Sequence, residues 1–283
     1  MVWTIRSVLT WARGYLQAKG SESPRLDAEV LLAHVLGRNR LDLYLDMDRP
    51  LMESELASYR VLLKRRSERE PVAYILGHKE FYSHDFVVNR EVLIPRPESE
   101  ILVEKAVELA PEQGEVFELG VGSGAVIISI LLERLDLTGY GNDISFGALT
   151  VARENARRLG VEDRLSLHQG DLFRGMTKRF HLIVANPPYI ARSCEHELQE
   201  DVRRYEPACA LFAGNDGLDI IREIIGQASD HLEPGGRLIM EVGHDQRGAV
   251  ERMVKEDGKL TLRLWIRDLA GADRTAIVER PHG

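Results

Sequence analysis

The stretch FELGVGSGAVIISILLE, residues 117–133, decides the fold of this chain of 283 residues. It begins with residues typical of the end of a buried strand, and it ends in the apolar helical run Ala125–Glu133. Three glycines lie between these parts, at positions 120, 122 and 124. Glycine permits a sharp turn and a close approach of the backbone to a ligand, and a helix start offers free N–H donors. The stretch therefore predicts a strand, a ligand-binding turn and a helix.

An acidic residue follows the glycine turn at a distance typical of nucleotide-binding sheets. Asp143 lies nineteen residues after Gly124, at the end of the next predicted strand, where a carboxylate can accept both ribose hydroxyls of an adenosine. Asp171 and Leu172 follow the third predicted strand, where a loop would place a polar group and an apolar side chain against an adenine. The pattern predicts adenosine binding. Residues 120–125 also satisfy G-x-G-x-x-A, so a NAD-dependent dehydrogenase stays an alternative.

Helix and strand patterns alternate beyond Ile101, which predicts a parallel sheet with crossover helices. The predicted strands are residues 115–119, 139–143, 165–169, 182–185, 237–242, 260–266 and 275–279. Only a short connection separates the last two strands, which leaves no room for a helical crossover between them. At least one of these two strands is therefore expected to be antiparallel to its neighbour.

The sequence before the sheet predicts two further parts of the chain. Residues 1–75 carry apolar side chains at three- and four-residue spacing and are predicted to form a helical domain. Residues 76–100 are punctuated by glycine, asparagine and proline, and they predict a linker with a hairpin over residues 81–88. Residues 101–283 form the predicted α/β domain.

The charge balance bears on the class of partner. The chain has 37 lysines and arginines and 45 acidic residues, which gives a formal net charge of -8. This excess of acidic residues argues against a protein that binds many nucleic-acid phosphates. One basic cluster, within residues 64–69, ends the fourth predicted helix, where it either complements the helix dipole or contacts an acidic partner.

Two cysteines, Cys194 and Cys209, are too few for a disulfide framework or a cysteine-rich metal site. We therefore expect no metal and a reducing, cytoplasmic setting. The longest apolar run is too short to cross a bilayer, so no membrane association is expected.

The string Asn186-Pro187-Pro188-Tyr189 directly follows an apolar strand and is the most specific chemical motif in the chain. Its two prolines fix the backbone dihedrals and remove two N–H donors, which leaves the loop carbonyls free to face a ligand. An NH2 group would donate one hydrogen to the Asn186 side-chain oxygen and the other to a loop carbonyl, with Tyr189 packed on the planar group. The loop therefore predicts transfer to a nearly planar nitrogen, in which positioning and polarisation provide most of the rate.

These features together resemble a class I S-adenosylmethionine-dependent methyltransferase that acts on nitrogen. DNA adenine methyltransferases and protein glutamine methyltransferases share the Asn-Pro-Pro-Tyr loop, so the flanking segments distinguish the two. The segments EPVAYILG at residues 70–77, VLIPRPESE at 92–100, YEP at 205–207 and LEPGG at 232–236 are similar to the HemK/PrmC family. That family methylates the glutamine of the Gly-Gly-Gln motif in peptide chain release factors.

The resemblance implies a Rossmann-like, mostly parallel sheet with an antiparallel last pair, preceded by a small helical domain that helps to recognise the release factor. It implies S-adenosylmethionine as cofactor, bound by Glu118, Gly120, Val121, Gly122, Ser123, Gly124, Asp143, Asp171, Leu172 and Asn186. It also implies a glutamine site formed by Asn186, Pro187, Pro188 and Tyr189, of which Asn186, Pro187 and Tyr189 are the expected catalytic residues.

The chain departs from the family pattern at a few positions. Glu118 stands where aspartate is usual, Ser99 stands where threonine is familiar, and Val121 replaces a frequent threonine or cysteine. Leu172 occupies the place of an aromatic ring over the adenine in some relatives, so stacking on the base is lost while apolar contact is kept. This difference bears on cofactor affinity more than on activity.

Two alternatives remain besides the dehydrogenase. A nucleic-acid N6-adenine methyltransferase shares the loop, but it needs a base-flipping surface and usually a positive groove, and the net charge of -8 disfavours it. A noncatalytic protein that senses the cofactor or binds the release factor is disfavoured because Asn186 and Asp143 are both present. No direct nucleic-acid substrate is therefore expected.

Overall fold

The computed structural model describes residues 2–282, and the chain divides into two compact units. The helical unit comprises the chain up to Gly77 together with Gln199–Tyr205. The sheet unit comprises His78–Leu198 and the chain from Glu206 onward. The sequence-based division into residues 1–75, 76–100 and 101–283 stays a prediction.

Helices and strands alternate through most of the chain. The α-helices are α1 (Ile5–Ala18), α2 (Pro24–Leu36), α3 (Arg40–Leu45), α4 (Glu53–Ser67), α5 (Val72–Leu76), α6 (Glu100–Leu109), α7 (Ala125–Glu133), α8 (Phe146–Arg158), α9 (Glu200–Tyr205), α10 (Asp219–His231) and α11 (Arg247–Asp257). The strands are β1 (His78–Phe81), β2 (His84–Val87), β3 (Glu115–Leu119), β4 (Thr138–Asp143), β5 (Leu165–Gln169), β6 (Phe180–Ala185), β7 (Leu232–Glu241), β8 (Thr261–Arg267) and β9 (Asp273–Glu279). Among the described residues, no helix has the length and apolar character needed to cross a membrane.

The helical unit has its own apolar core. Helix α2 begins with Pro24 in its first turn and ends at Gly37, whose φ of 60° is the left-handed conformation that favours glycine at a helix end. The buried Tyr59 of α4 donates its hydroxyl to the carbonyl of Ala28 in α2 at 2.8 Å, which satisfies the one polar group of that ring. Helix α1 contributes its buried Leu16 to the same core.

The arginines near the end of α4 pair within the helical unit. Arg66 donates to Asp27 at 2.7 Å and to Asp201 at 3.3 Å, and the side chains of Arg66 and Asp27 are only 6% and 9% exposed. Arg65 donates to Glu70 at 2.8 Å. These two arginines therefore form ion pairs within the helical unit, while both alternatives for the basic cluster, the helix dipole and an acidic partner, stay predictions.

The sheet unit contains a seven-stranded sheet in the order β5-β4-β3-β6-β7-β9-β8. The first five of these strands pair in parallel, while β9 pairs antiparallel with both β7 and β8. This arrangement confirms the predicted Rossmann-like fold, including the antiparallel last pair and the small helical region before it.

Both faces of this sheet are covered by helices. Leu182 and Val184 of β6 belong to one apolar cluster with residues of α6 and α7, whereas Ile183 and Ala185 belong to another with residues of α10 and α11. Burial on both faces explains why the second part of β6, residues 182–185, is a continuous apolar run in the sequence. It also fixes the carboxyl ends of β3, β4, β5 and β6 along one edge.

Two strands begin three or more residues before their sequence-based starts. Strand β7 begins at Leu232, not at residue 237, although it contains Pro234 and Gly235, which indicate a turn in the sequence. The hairpin begins at His78, not at residue 81. The residues of its first strand before Phe81 are polar and at least partly exposed, which is why the sequence did not indicate this start. Polar strands of this kind lack the apolar alternation that makes a strand visible in sequence.

Candidate active site

The glycine turn between β3 and α7 is held in backbone conformations that only glycine adopts easily. Gly120, Gly122 and Gly124 have φ angles of 70°, 53° and 79°. A Cβ at Gly120 or Gly122 would meet no atom within 4 Å, whereas at Gly124 it would lie 2.8 Å from the side chain of Ile128. The first two glycines therefore open onto free space, and the third allows close packing of α7.

That free space is a cavity of about 340 Å³ at the carboxyl ends of the parallel strands, the usual position of ligand sites in such sheets. The predicted site residues that line it are Glu118, Gly120, Val121, Gly122, Ser123, Asp143, Asp171, Leu172, Asn186, Pro187 and Pro188. Gly124 and Tyr189, which were also predicted, are not among the lining residues. The cavity is thus formed by both sequence motifs together.

Asp143 connects the end of β4 to the glycine turn. Its Oδ2 accepts a hydrogen bond from the backbone N–H of Gly122 at 2.9 Å, and its Oδ1 accepts from the N–H of Ser145 at 2.8 Å. Each carboxylate oxygen has a further lone pair, so Asp143 can also accept from a ligand hydroxyl. The geometry therefore suits the predicted contact with a ribose.

The Asp171–Leu172 loop is attached to the same strand. The side-chain amide of Asn142 donates to the carbonyl of Leu172 at 2.5 Å, and Leu172 has a φ of 45°. A leucine in the left-handed region is strained, and such residues are often found where a loop bounds a functional site. The predicted position of this loop against an adenine stays a prediction.

Glu118 is a buried carboxylate at the floor of the glycine turn. It is 3% exposed, and its Oε2 accepts from the backbone N–H of Ile127, in the first turn of α7, at 3.0 Å. Burial raises the pKa of Glu118 well above its usual range; the bond from Ile127 opposes this effect and the nearby charge of Asp143 adds to it. A positively charged group of a ligand would favour the ionised form.

The Asn-Pro-Pro-Tyr loop follows β6 directly, and its first and last residues are anchored in different ways. Asn186 donates its side-chain amide to the hydroxyl of Ser99 at 2.8 Å, which leaves its Oδ1 to accept from another group. Tyr189 donates its hydroxyl to Glu241 at 3.3 Å, and burial raises the pKa of the tyrosine. The stacking of Tyr189 on a planar substrate group therefore stays a prediction.

Ser99 and Glu241 are functional candidates that sequence reasoning missed. Ser99 lies in the PRPESE string at residues 95–100, whose resemblance to the family predicts no role for this hydroxyl. Glu241 is the last residue of β7, an acid that follows the buried pair Ile239 and Met240. An acidic residue at the carboxyl end of a buried parallel strand was the available signal.

A third segment completes one wall of the cavity. Glu206, which is buried, accepts from Arg96 at 2.5 Å and from the backbone N–H of Ile94 at 3.2 Å. These bonds connect Glu206 to two residues that precede it in sequence by 110 and 112 positions. They hold Arg96 and Pro95 at the cavity.

The Gly217→Ala substitution is expected to displace the Asn-Pro-Pro-Tyr loop at Tyr189. Gly217 has a φ of 75°, and a Cβ there would lie 2.3 Å from the carbonyl oxygen of Tyr189. The same carbonyl accepts from Gln246 at 2.9 Å, so the loop backbone cannot shift without loss of this bond. We expect the free energy of unfolding to fall by about 2–3 kcal/mol and turnover to fall at least about tenfold.

Chemical denaturation and a turnover assay test this expectation. Gly160→Ala is the matched control, since Gly160 has a φ of 73° but open space where its Cβ would lie. Equal losses in both variants would mean that backbone strain, not the contact with Tyr189, explains the effect.

Comparisons with known proteins bear on the function of this cavity. Residues 7–77 match the family model of the PrmC N-terminal domain, and residues 97–202 match that of the methyltransferase small domain. The release factor glutamine methyltransferase of Geobacter sulfurreducens is 45% identical over 258 residues, which cover 91% of this chain and 90% of the relative. The protein of the same name from Rhodopirellula baltica is 38% identical, with 98% of this chain and 97% of the relative covered.

A solved structure supports the fold alone. The crystal structure of a methyltransferase from Pyrococcus furiosus is similar with a TM-score of 0.53 and 17% sequence identity. The match covers 81% of this chain and 98% of that chain.

Proposed function

The chain belongs to the release factor glutamine methyltransferase family, and on that premise we propose how its cavity acts. It transfers a methyl group from S-adenosylmethionine to the side-chain amide nitrogen of the glutamine in the Gly-Gly-Gln motif of a peptide chain release factor. The product is N5-methylglutamine. One observation carries the proposal: the glycine turn, Asp143 and the Asn186–Pro188 segment line a single cavity.

The residues present fit S-adenosylmethionine. Gly120 and Gly122 leave open space where any other residue would place a Cβ, and Asp143 has lone pairs for a ribose. Asp171 and Leu172 border the proposed adenine side, while the buried Glu118 lies at the proposed methionine side. When bound, the cofactor supplies an electrophilic methyl group on a positively charged sulfur.

The loop residues hold the acceptor nitrogen. Asn186 Oδ1 accepts one hydrogen of the glutamine NH2, and the carbonyl of Pro187 accepts the other. These two acceptors orient the planar amide and draw its hydrogens away from the nitrogen, so that positioning and polarisation provide most of the rate. A general base is not required. Tyr189, whose pKa is raised by burial, keeps its proton and donates it in a hydrogen bond to Glu241. The amide proton departs during or after the transfer.

The helical unit is proposed to contribute to recognition of the release factor. Residues 7–77 match the family model of the PrmC N-terminal domain, which supports the assignment. The N6-adenine alternative shares the loop, but the relatives that cover nearly the whole chain are named for glutamine methylation. A release factor is therefore the proposed partner, without a direct nucleic-acid substrate.

A label-transfer experiment tests the proposal. The protein is incubated with methyl-labelled S-adenosylmethionine and a purified, unmethylated release factor, beside a release factor with Gly-Gly-Ala in place of Gly-Gly-Gln and beside duplex DNA. We expect label on the Gly-Gly-Gln peptide alone, identified by mass spectrometry. Label on DNA alone would instead support the adenine alternative, and no transfer despite cofactor binding would support a noncatalytic protein.

A further inference from the structure

We propose that Ser99 and Glu241 are positioning residues, which together set the direction of the Asn186 amide for methyl transfer. The inference rests on the proposed function and deepens it. It concerns two side chains that touch neither the reacting amide nor the cofactor in the proposed mechanism. They act on Asn186 through a chain of hydrogen bonds.

The chain of hydrogen bonds is short, and two of its three side chains, Ser99 and Glu241, are buried. Ser99 donates its hydroxyl to Oε2 of Glu241 at 2.6 Å, and it accepts from the side-chain amide of Asn186 at 2.8 Å. Ser99 is 3% exposed and Glu241 is 2% exposed. Water therefore has little access to the bond between Ser99 and Glu241, whereas the bond from Asn186 to Ser99 lies at the edge of the cavity.

The carboxylate of Glu241 determines which group donates and which accepts in each of the two bonds. An ionised carboxylate only accepts hydrogen bonds, so the single hydroxyl hydrogen of Ser99 is directed to Glu241. The oxygen of Ser99 then faces Asn186 as an acceptor, which selects the NH2 end of the Asn186 amide. The carbonyl end of Asn186 is left for the substrate. A glutamine NH2 needs this acceptor, and a reversed Asn186 amide would present a second donor instead.

Glu241 also anchors the other end of the loop. Its Oε1 accepts the hydroxyl of Tyr189 at 3.3 Å, while its Oε2 serves Ser99. One carboxylate thus orients the first residue of the Asn-Pro-Pro-Tyr loop through Ser99 and holds the last residue directly. The two prolines between them make the loop rigid enough to transmit this constraint.

Protonation of Glu241 is expected to disturb this arrangement. Burial raises the pKa of Glu241; the hydrogen bonds from Ser99 and Tyr189 and the charge of Arg274 oppose that effect, and Glu98 adds to it. A protonated Glu241 carries one hydrogen of its own, and where that hydrogen faces Ser99 or Tyr189, this neighbour must accept from Glu241 and can no longer donate to the same oxygen. The rate is therefore expected to fall as the pH falls through the raised pKa of Glu241, at a pH above that of an ordinary carboxyl group.

Three variants test the inference in the label-transfer assay with a release factor. Ser99→Ala removes both bonds, and we expect kcat to fall about 10- to 100-fold, since small errors of placement are costly in transfer reactions. Ser99→Thr keeps the hydroxyl and is expected to restore most of the rate. Glu241→Gln is expected to lower kcat and to remove the fall of kcat that accompanies protonation of Glu241, measured at saturating S-adenosylmethionine. The Kd for S-adenosylmethionine, measured by calorimetry, is expected to change less than about threefold in each.

Ser229→Ala is the matched control, because Ser229 is also buried, at 4% exposure, but lies in α10 and does not line the cavity. A thermal melt of each variant separates loss of folding from loss of rate. If Ser99→Ala does not fold, the pH profile of Glu241→Gln against that of the wild type decides.

The outcomes distinguish this inference from the proposed function. A wild-type protein that labels no release factor overturns the proposed function. An active wild type with an equally active Ser99→Ala variant overturns only the positioning role. The same holds if Ser99→Thr is as slow as Ser99→Ala, which would indicate packing, or if Glu241→Gln keeps the wild-type pH profile.

Discussion

Replacing Asn186 by alanine is expected to lower kcat for glutamine methylation at least about 100-fold. The side chain is held by Ser99 at 2.8 Å and lines the cavity beside the glycine turn. Its loss removes the proposed acceptor for the substrate NH2, and the removal of one preoriented polar group at a reacting centre costs about 100- to 1,000-fold in rate. The Kd for S-adenosylmethionine is expected to change less, by under about tenfold, because Asp143 and the glycine turn remain.

Single-turnover label transfer and calorimetry measure the two quantities separately. Asn215→Ala is the matched control, since Asn215 is exposed and does not line the cavity. A variant at position 186 that keeps the wild-type kcat would exclude the proposed role of the loop. A loss confined to cofactor affinity would place Asn186 in the cofactor site alone.

Replacing Asp143 by alanine is expected to weaken S-adenosylmethionine binding about 10- to 100-fold. Asp143 accepts from the N–H groups of Gly122 and Ser145 at 2.9 and 2.8 Å, so its loss loosens the glycine turn as well as removing the proposed ribose contact. Hydrogen bonds to a charged group contribute about 1.5–3 kcal/mol each, and this range corresponds to the expected change in Kd.

Calorimetric titration with S-adenosylmethionine and with NAD tests this second expectation. The wild type is expected to bind the first ligand and not the second, which also decides against a dehydrogenase. Asp163→Ala, at an exposed position in a short turn, is the control for a lost surface charge. An Asp143→Ala variant with wild-type affinity would contradict the proposed ribose contact.

Much of the sheet was predictable from the sequence because its central strands β3 and β6 are buried on both faces. The runs that became β3, β5 and β6 are apolar or closely bounded by turn residues, and their predicted positions match within two residues. The first strand of the hairpin and the start of β7 were missed, since polar residues and a proline-glycine pair do not indicate strands. Helix α9 was missed because its six residues are mostly charged.

The site was predictable where its residues are neighbours in sequence. The glycine turn and the Asn-Pro-Pro-Tyr loop are contiguous, and their chemistry can be read from residue types alone. Ser99 and Glu241 are 142 residues apart, and only the fold brings them together behind Asn186. A single sequence carries no sign of such a pairing, because neither residue has a companion at a fixed local spacing.

The assignment of Gln199–Tyr205 to the helical unit has a consequence for the covalent topology of the chain. Three peptide linkages, not one, join the two units, after Gly77, after Leu198 and after Tyr205. A fragment that ends at Gly77 would lack Asp201, an ion-pair partner of Arg66. The rest of the chain would then carry helix α9 without the other helices of its unit. Anyone who exchanges helical units between relatives must therefore graft two pieces of chain, the second only seven residues long.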